Sequence, residues 1–163
     1  SFFEATKVSR VGGSIPMASF KGTYSSTVDA KRRIKLPKKL REALLPSSGE
    51  QFVIGPGYDG CVFLYPTDEW AKQEDKLRNL KVELKEHRFL ERVFVSESED
   101  VRVDRVGRLI VPERLLRLAR ITKEVLILGI LSRVEIWSPE VYNKYRKQHQ
   151  QTYEEAAEQI FGS

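Results

Sequence analysis

Cysteine is nearly absent from this chain: Cys61 is the only one in 163 residues. That excludes an intramolecular disulfide framework and a thiolate zinc site. Histidine is almost as scarce, and His87 and His149 stand without ligand-spaced partners, so both are read as surface residues. Long apolar runs are missing too, since no stretch approaches the roughly 20 residues that span a bilayer. No charged-apolar-small leader opens the chain, and a cytoplasmic protein is expected. Also lacking are a G-x-x-x-x-G-K-[ST] phosphate loop and a G-x-S-x-G nucleophile elbow. The expectation is a protein with no catalytic residues, no metal site and no cofactor.

What the chain does have is 40% hydrophobic and 31% charged residues, the balance of a folded globular protein. Its length suits one domain or two small ones. The net charge of +5 is unevenly spread. Residues 17–48 hold eight Lys or Arg against two acids and residues 101–120 hold six Arg against two acids, whereas residues 49–70 contribute −4. Positive charge gathered in two segments is the electrostatic footprint of a protein that meets a polyanion.

Those two segments are copies of one another. Val28-Asp29-Ala30-Lys31-Arg32-Arg33-Ile34-Lys35-Leu36-Pro37 recurs as Val103-Asp104-Arg105-Val106-Gly107-Arg108-Leu109-Ile110-Val111-Pro112. Asp, Arg and Pro shift by one common interval, from 29, 33 and 37 to 104, 108 and 112. Each copy reads as apolar strand, Asp, tight basic turn, Arg, apolar strand, Pro, and a duplicated unit constrains a fold more than local propensity does. Asp29 and Asp104 suit the first turn position, where a carboxylate accepts the backbone N–H groups that follow. Gly107 suits a last turn position with positive φ. The first copy has Arg32 there, which costs roughly 1–2 kcal/mol if its backbone is also left-handed.

Around the turns the same elements come twice. Residues 1–17, with Gly12-Gly13 and no periodicity, are set aside as a flexible N-terminal extension or a cloning remnant. Residues 20–28 and 33–36 are predicted to pair as a hairpin across the first turn, and Pro37 to start a short helix ended by Pro46-Ser47-Ser48-Gly49. Residues 51–55 and 61–65 read as a second hairpin, and Thr67 as the cap of a helix reaching about Leu80, with Trp70 and Leu77 on one face. Residues 81–92 are expected to form a helical linker with a solvated face. In the second unit, strands are predicted at 92–95 and 101–103, then the basic turn, a strand at 108–111 and a helix started by Pro112. A hairpin of 125–129 with 134–137 follows, then a helix capped by Ser138-Pro139. Residues 148–163 read as a polar, helix-permissive tail. Phe63, Tyr65, Trp70, Trp137 and Tyr142 fall on matching positions of the two units and are assigned to the core or the repeat interface.

Two copies of Asp-x-x-x-Arg, each followed by a Pro-started helix, a hairpin and an aromatic-bearing helix, together with Leu64-Tyr65-Pro66 and Trp70, resemble the MraZ family over about residues 18–145. The resemblance implies an α+β fold of two AbrB-like swapped-hairpin repeats, 18–80 and 93–147. They would interlock into one pseudo-twofold β-barrel with short peripheral helices. It further implies a ring-like homo-oligomer, associated with the nucleoid, that binds double-stranded DNA carrying tandem repeats. Such regulators act on a cell-division and cell-wall gene cluster, and repression is the expected sign. Asp29, Lys31 and Arg33, and Asp104 and Arg108, occupy the motif positions, and Arg32 stands where the family usually has Gly.

On that basis Arg33 and Arg108 are candidates for bidentate contact with guanine. Lys31, Arg32, Lys35, Arg102 and Arg105 are candidates for phosphate attraction. Asp29, Asp104 and Gly107 are assigned to shaping the loops. A reading of another class stays open, an antitoxin-like interaction module or ring-forming scaffold whose basic loops meet an acidic protein. Leu115, Leu116 and Leu118, among Arg114, Arg117 and Arg120, would be its face, although a helix packed on its own barrel is favoured. Neither a small-molecule substrate nor a membrane partner is expected.

Overall fold

Alternation of side chains along the strands divides the molecule into layers. The computed structural model describes residues 9–11, 15–44 and 49–162. Its strands are β1 (Ser9–Val11), β2 (Ile15–Met17), β3 (Phe20–Thr27), β4 (Arg33–Lys35), β5 (Gln51–Pro56), β6 (Val62–Pro66), β7 (Glu99–Arg102), β8 (Arg108–Ile110), β9 (Glu124–Leu131) and β10 (Arg133–Trp137). Its helices are α1 (Lys38–Glu42), α2 (Thr67–Arg78), α3 (Lys85–Ser96), α4 (Glu113–Leu118), α5 (Pro139–Gln148) and α6 (Thr152–Phe161). β1 and β2 form a separate two-stranded sheet among the described residues.

Six strands make one antiparallel sheet in the order β3-β9-β10-β6-β5-β7, and β4 pairs with β8 as a separate two-stranded ribbon. Exchanging the equivalent strands of the two repeats, β3 with β7, β5 with β9 and β6 with β10, reverses the sheet order onto itself. The topology therefore carries the duplication seen in the sequence. The hairpins β5–β6 and β9–β10 form as the sequence predicts.

The strands flanking each basic turn do not pair with each other, which corrects the expected local hairpin. β3 runs along β9 from the pair Phe20–Leu131 to the pair Thr27–Glu124, and β4 takes β8. Between the arms of the first turn the backbone bond that remains is Asp29 N–H to the Arg33 carbonyl, at 3.0 Å, and Ser26 Oγ donates to the Lys35 carbonyl at 3.5 Å. Turn chemistry fixes the corner but not the partner; the partner is chosen by where the apolar faces bury. β3 and β7 are the sheet edges and are not hydrogen-bonded to each other, so this ladder does not close into a barrel.

One face of the sheet presents Phe52, Ile54, Val62, Leu64, Ile127, Val134 and Ile136 to Ile34 and Leu36 beside β4 and to Leu109 and Val111 beside β8. Leu40 of α1 and Leu115 of α4 complete this core, which both repeats build together. The alternate residues Phe63, Tyr65, Leu128 and Trp137 point the other way, into a second cluster covered by Trp70, Phe94, Tyr142 and Tyr145. The five aromatics assigned to the core lie there, and Leu77 joins Trp70 on it. Glu135 is buried in this layer. Its Oε2 accepts from Arg133 Nε and Nη2 at 3.0 and 2.8 Å, and its Oε1 from Trp137 Nε1 at 3.0 Å, so its charge is paired.

Residues 92–95 correct another expectation: they belong to α3, not to a strand. The β-branched and aromatic run Val93-Phe94-Val95 favours extended backbone locally, but tertiary packing overrides it. Phe94 is the buried residue of α3 and stacks on Trp70 at 5.6 Å with a 4° interplanar angle. Smaller differences concern caps. Pro66, not Thr67, flanks α2, and Pro37 and Pro112 sit one place before the helices they start. Ser138 caps α5 as predicted, its hydroxyl accepting from Val141 N–H. The tail forms α6, and Pro46–Ser48 lie outside the described residues. Leu115 and Leu116 are buried in the shared core, which removes most of the alternative partner face on α4.

Candidate nucleic-acid interface

The two turns are built by the same set of bonds. Asp29 Oδ1 accepts from the backbone N–H groups of Lys31 and Arg33, both at 2.9 Å, and its Oδ2 accepts from Arg33 Nε at 2.7 Å. Asp104 Oδ1 accepts from Val106 and Arg108 N–H at 3.0 and 2.9 Å, and its Oδ2 from Arg108 Nε at 3.1 Å. Each carboxylate thus satisfies two turn amides and fixes the guanidinium four residues on. The Arg33 amide, opposed by desolvation and supported by the Arg33 side chain and the Lys31 amide, holds the Asp29 carboxyl below its ordinary value. The Arg108 amide does the same for Asp104, with its side chain and the Val106 amide.

A carboxyl lowered in the folded state contributes stability that is complete above its unfolded value, about 4, and is lost as pH falls through the lowered folded value. Asp29→Ala/Asp104→Ala should therefore melt several degrees below the parent at neutral pH. The gap should narrow on acidification below about pH 4. Thermal unfolding followed by circular dichroism at several pH values checks this; equal melting temperatures at neutral pH would show that the carboxylates do not hold the turns.

Arg32 has φ 61° and Gly107 φ 88°, so the last position of both turns is left-handed. Each also stitches the repeats together, for Leu36 N–H donates to the Gly107 carbonyl and Val111 N–H to the Arg32 carbonyl, both at 2.8 Å. Arg32→Gly removes the strain of a side chain at positive φ, roughly 1 kcal/mol, against a similar entropic cost of glycine. The variant is expected to melt within a few degrees of the parent, and a large loss of stability would show that the arginine side chain itself holds the turn.

The turns lie at opposite ends of the β4–β8 ribbon, where Arg33 faces Ile110, Ile34 faces Leu109 and Lys35 faces Arg108. Ile34 and Leu109 point into the core. Arg33, Lys35, Arg108 and Ile110 are half-buried or exposed on the outer side. Lys31, Arg32 and Arg105 are exposed on the turns themselves. Arg102, on the edge strand β7, is also exposed and joins Arg32 in lining an open groove of about 540 Å³, with Ile110, Arg114 and the acids Glu99, Asp100 and Glu113. The Arg33 and Arg108 guanidiniums bond their Asp partners through Nε.

Sequence reasoning missed Arg41. Its Nε donates to the Leu36 carbonyl at 3.1 Å, and its guanidinium lies where a Cβ on Gly107 would stand 2.7 Å from its Cζ. It braces the second turn from the first repeat, and nothing in its local sequence marks it. His87 and His149 take local roles: the His87 Nδ1 accepts from Lys81 N–H at 3.0 Å, and the His149 Nδ1 lies 2.9 Å from the Tyr145 carbonyl. Among the described residues no group of three or more His, Cys, Asp or Glu is placed to hold a metal ion, and no helix is long and apolar enough to cross a membrane.

A family model described as "MraZ protein, putative antitoxin-like" matches the chain twice, over residues 19–93 and 94–163. The transcriptional regulator MraZ of Caldanaerobacter subterraneus subsp. tengcongensis is 40% identical over 139 residues, covering 85% of this chain and 94% of its own. That of Heliobacterium modesticaldum is 41% identical over 141 residues, covering 86% and 96%. The Clostridium beijerinckii protein of the same name is 43% identical over 128 residues, covering 78% and 87%.

Proposed function

The chain belongs to the MraZ family, and from that premise we propose that it is a DNA-binding transcriptional regulator whose paired basic turns engage tandem sites on double-stranded DNA. The relatives' names supply the regulatory class. The observation that carries the interface is the β4–β8 ribbon, from which Arg33, Lys35 and Arg108 project away from the core between two Asp-clamped turns. A two-stranded ribbon fits the major groove, and three residues at about 3.4 Å each separate the turns by roughly 10 Å, near the groove's width.

Roles follow from chemistry. The terminal nitrogens of Arg33 and Arg108, not used in the Nε bonds to Asp29 and Asp104, supply a fork suited to guanine O6 and N7. Lys31, Arg32, Lys35, Arg102 and Arg105 meet phosphate. Asp29 and Asp104 repel phosphate on their own and serve the turn. The first turn is the more basic, because Lys31 and Arg32 stand where the second has Val106 and Gly107. In this reading the cross-paired repeats are a swapped-hairpin arrangement divided at 18–80 and 93–147, with 81–92 as the linker. The regulated genes include a cell-division and cell-wall cluster, repressed by a ring of chains on the nucleoid.

Fluorescence anisotropy with the DNA just upstream of this protein's own gene, against a scrambled duplex, tests the reading. The expected result is tighter binding to the upstream DNA, with log affinity falling linearly in log salt. Arg32→Gly should lower that slope by about 0.9, one phosphate contact. A duplex with one half-site should bind far more weakly than one with tandem sites, because linked contacts multiply. No preference over the scrambled duplex would remove the regulator reading; equal affinity for single and tandem sites would remove multivalency.

A further inference from the structure

The duplication that gives the chain two alike turns also gives the β4–β8 ribbon two equivalent corners, and these differ in charge. At the first corner an open groove gathers Arg32, Arg102 and Arg114 with Glu99, Asp100 and Glu113. Two of its cations are already engaged: Arg32 Nη1 lies 4.0 Å from Glu113 Oε2, and Arg114 bonds Glu99 at 3.1 Å and Glu97 at 2.9 Å. Shifted by the interval that relates the two turns, these six positions become Gly107, Thr27, Lys39, Tyr24, Ser25 and Lys38. Ile110, also in the groove, becomes Lys35. The second corner thus has three lysines and no acid at the equivalent positions, and all three lysines are exposed.

Folding brings those lysines to the second turn, although they belong to the first repeat. Lys35 faces Arg108 across the ribbon, and Arg41 of α1 lies against Gly107. The first turn brings Lys31, Arg32 and Arg33 against Asp29, and its corner adds Arg102 and Arg114 against three acids. The second turn brings only Arg105 and Arg108 against Asp104, but its corner adds Lys35, Lys38 and Lys39. Arg41 and Glu42, further along α1, cancel. The turn that is poorer in charge by itself therefore sits at the more basic end of the ribbon. Helix stability does not account for the lysines, because Lys38 and Lys39 occupy the start of α1, where a carboxylate is favoured and α4 has Glu113. Lys38 lies 3.9 Å from Glu42 with its side chain 79% exposed, a pair that contributes little.

We propose that the DNA backbone is anchored at the second corner by Lys38 and Lys39, and that Glu99, Asp100 and Glu113 keep phosphate away from the first. Ser25 and Thr27, exposed on β3, add hydroxyls that can bond phosphate oxygens there. The proposal rests on the regulator reading and deepens it, since the anchor is assembled from both repeats. Two alike turns related by a pseudo-twofold axis would accept a duplex in either direction; unequal corners select one, as phosphate contacts fix orientation.

Anisotropy titrations of the full chain over a salt series, on the upstream and scrambled duplexes, test this. Lys38→Ala/Lys39→Ala should weaken binding to both duplexes roughly tenfold or more and lower the salt slope by about 1.8, two phosphate contacts. Its preference between the duplexes and its melting temperature should match the parent's. Asp100→Ser/Glu113→Lys, which copies the second corner into the first, should tighten binding to both duplexes and steepen the slope. A lysine variant that keeps the parent's slope, or a copied corner that binds no tighter than the parent, would overturn the proposal. If the parent still prefers the upstream DNA in that case, the anchor alone falls; a parent with no preference removes the regulator reading and the anchor with it.

Discussion

Arg33→Ala/Arg108→Ala is expected to lose roughly 30-fold or more in affinity for its upstream duplex while keeping its fold. Each bidentate guanine contact discriminates by about 1–3 kcal/mol, and the proposed reading calls for two per chain. The fold should survive because each Asp keeps its two backbone bonds when the guanidinium is gone. Arg33→Lys/Arg108→Lys sharpens the result. It keeps the charge and removes the fork, so binding to a scrambled duplex should recover while preference for the upstream DNA does not. Anisotropy titrations on both duplexes, with circular dichroism as the control for folding, separate the cases. A double-alanine variant that retains the parent's preference would place base readout elsewhere.

Gly129→Ala is expected to be strongly destabilising. A Cβ built there would stand 2.4 Å from Lys21 N and 2.8 Å from Lys21 Cα and Phe20 C, all of them backbone atoms that cannot swing aside. Gly129 faces Gly22 in the β3–β9 ladder, and that ladder joins the first strand of one repeat to the second repeat. The expected cost is about 3 kcal/mol or more, or roughly 10 °C in melting temperature for a chain of this size. Gly49→Ala is the comparison: at φ 57° it meets backbone strain, but nothing lies within 4 Å of its Cβ. Calorimetry on the two variants distinguishes steric closure of the ladder from loss of glycine freedom. Equal small shifts would mean that β3 is free to lift from β9 without consequence.

The parts of this structure legible in the sequence are those that short-range chemistry decides. The Asp–Arg spacing gives both turns, Gly107 announces a left-handed position that Arg32 then shares, and period-2 alternation gives β5–β6 and β9–β10. The aromatic positions Phe63, Tyr65 and Trp137 are readable because they alternate with Val62, Leu64 and Ile136. Partner choice is not written locally. Nothing in residues 20–36 distinguishes a hairpin closed on itself from strands exchanged with the other repeat, since the turn is the same in both. Residues 92–95 carry strand propensity locally, but Trp70, more than twenty positions away, claims Phe94 for a helix. Arg41 was invisible for the same reason: its contacts, Leu36 and Gly107, come together only after the repeats cross.

The location of the DNA interface is open to direct measurement because the chain has a single cysteine. Cys61 is fully buried, and burial pushes its thiol pKa far up, so it stays inert toward labels at neutral pH. Ala30→Cys and Val106→Cys each place one reactive thiol on an exposed turn, and Asp75→Cys places one on α2, across the sheet. Labelled with a short photo-crosslinker and irradiated with the upstream duplex, the two turn variants should both crosslink to DNA, and the Asp75 variant should not. Crosslinking from Asp75→Cys with none from Ala30→Cys and Val106→Cys would contradict the assignment of the paired turns as the DNA-binding surface.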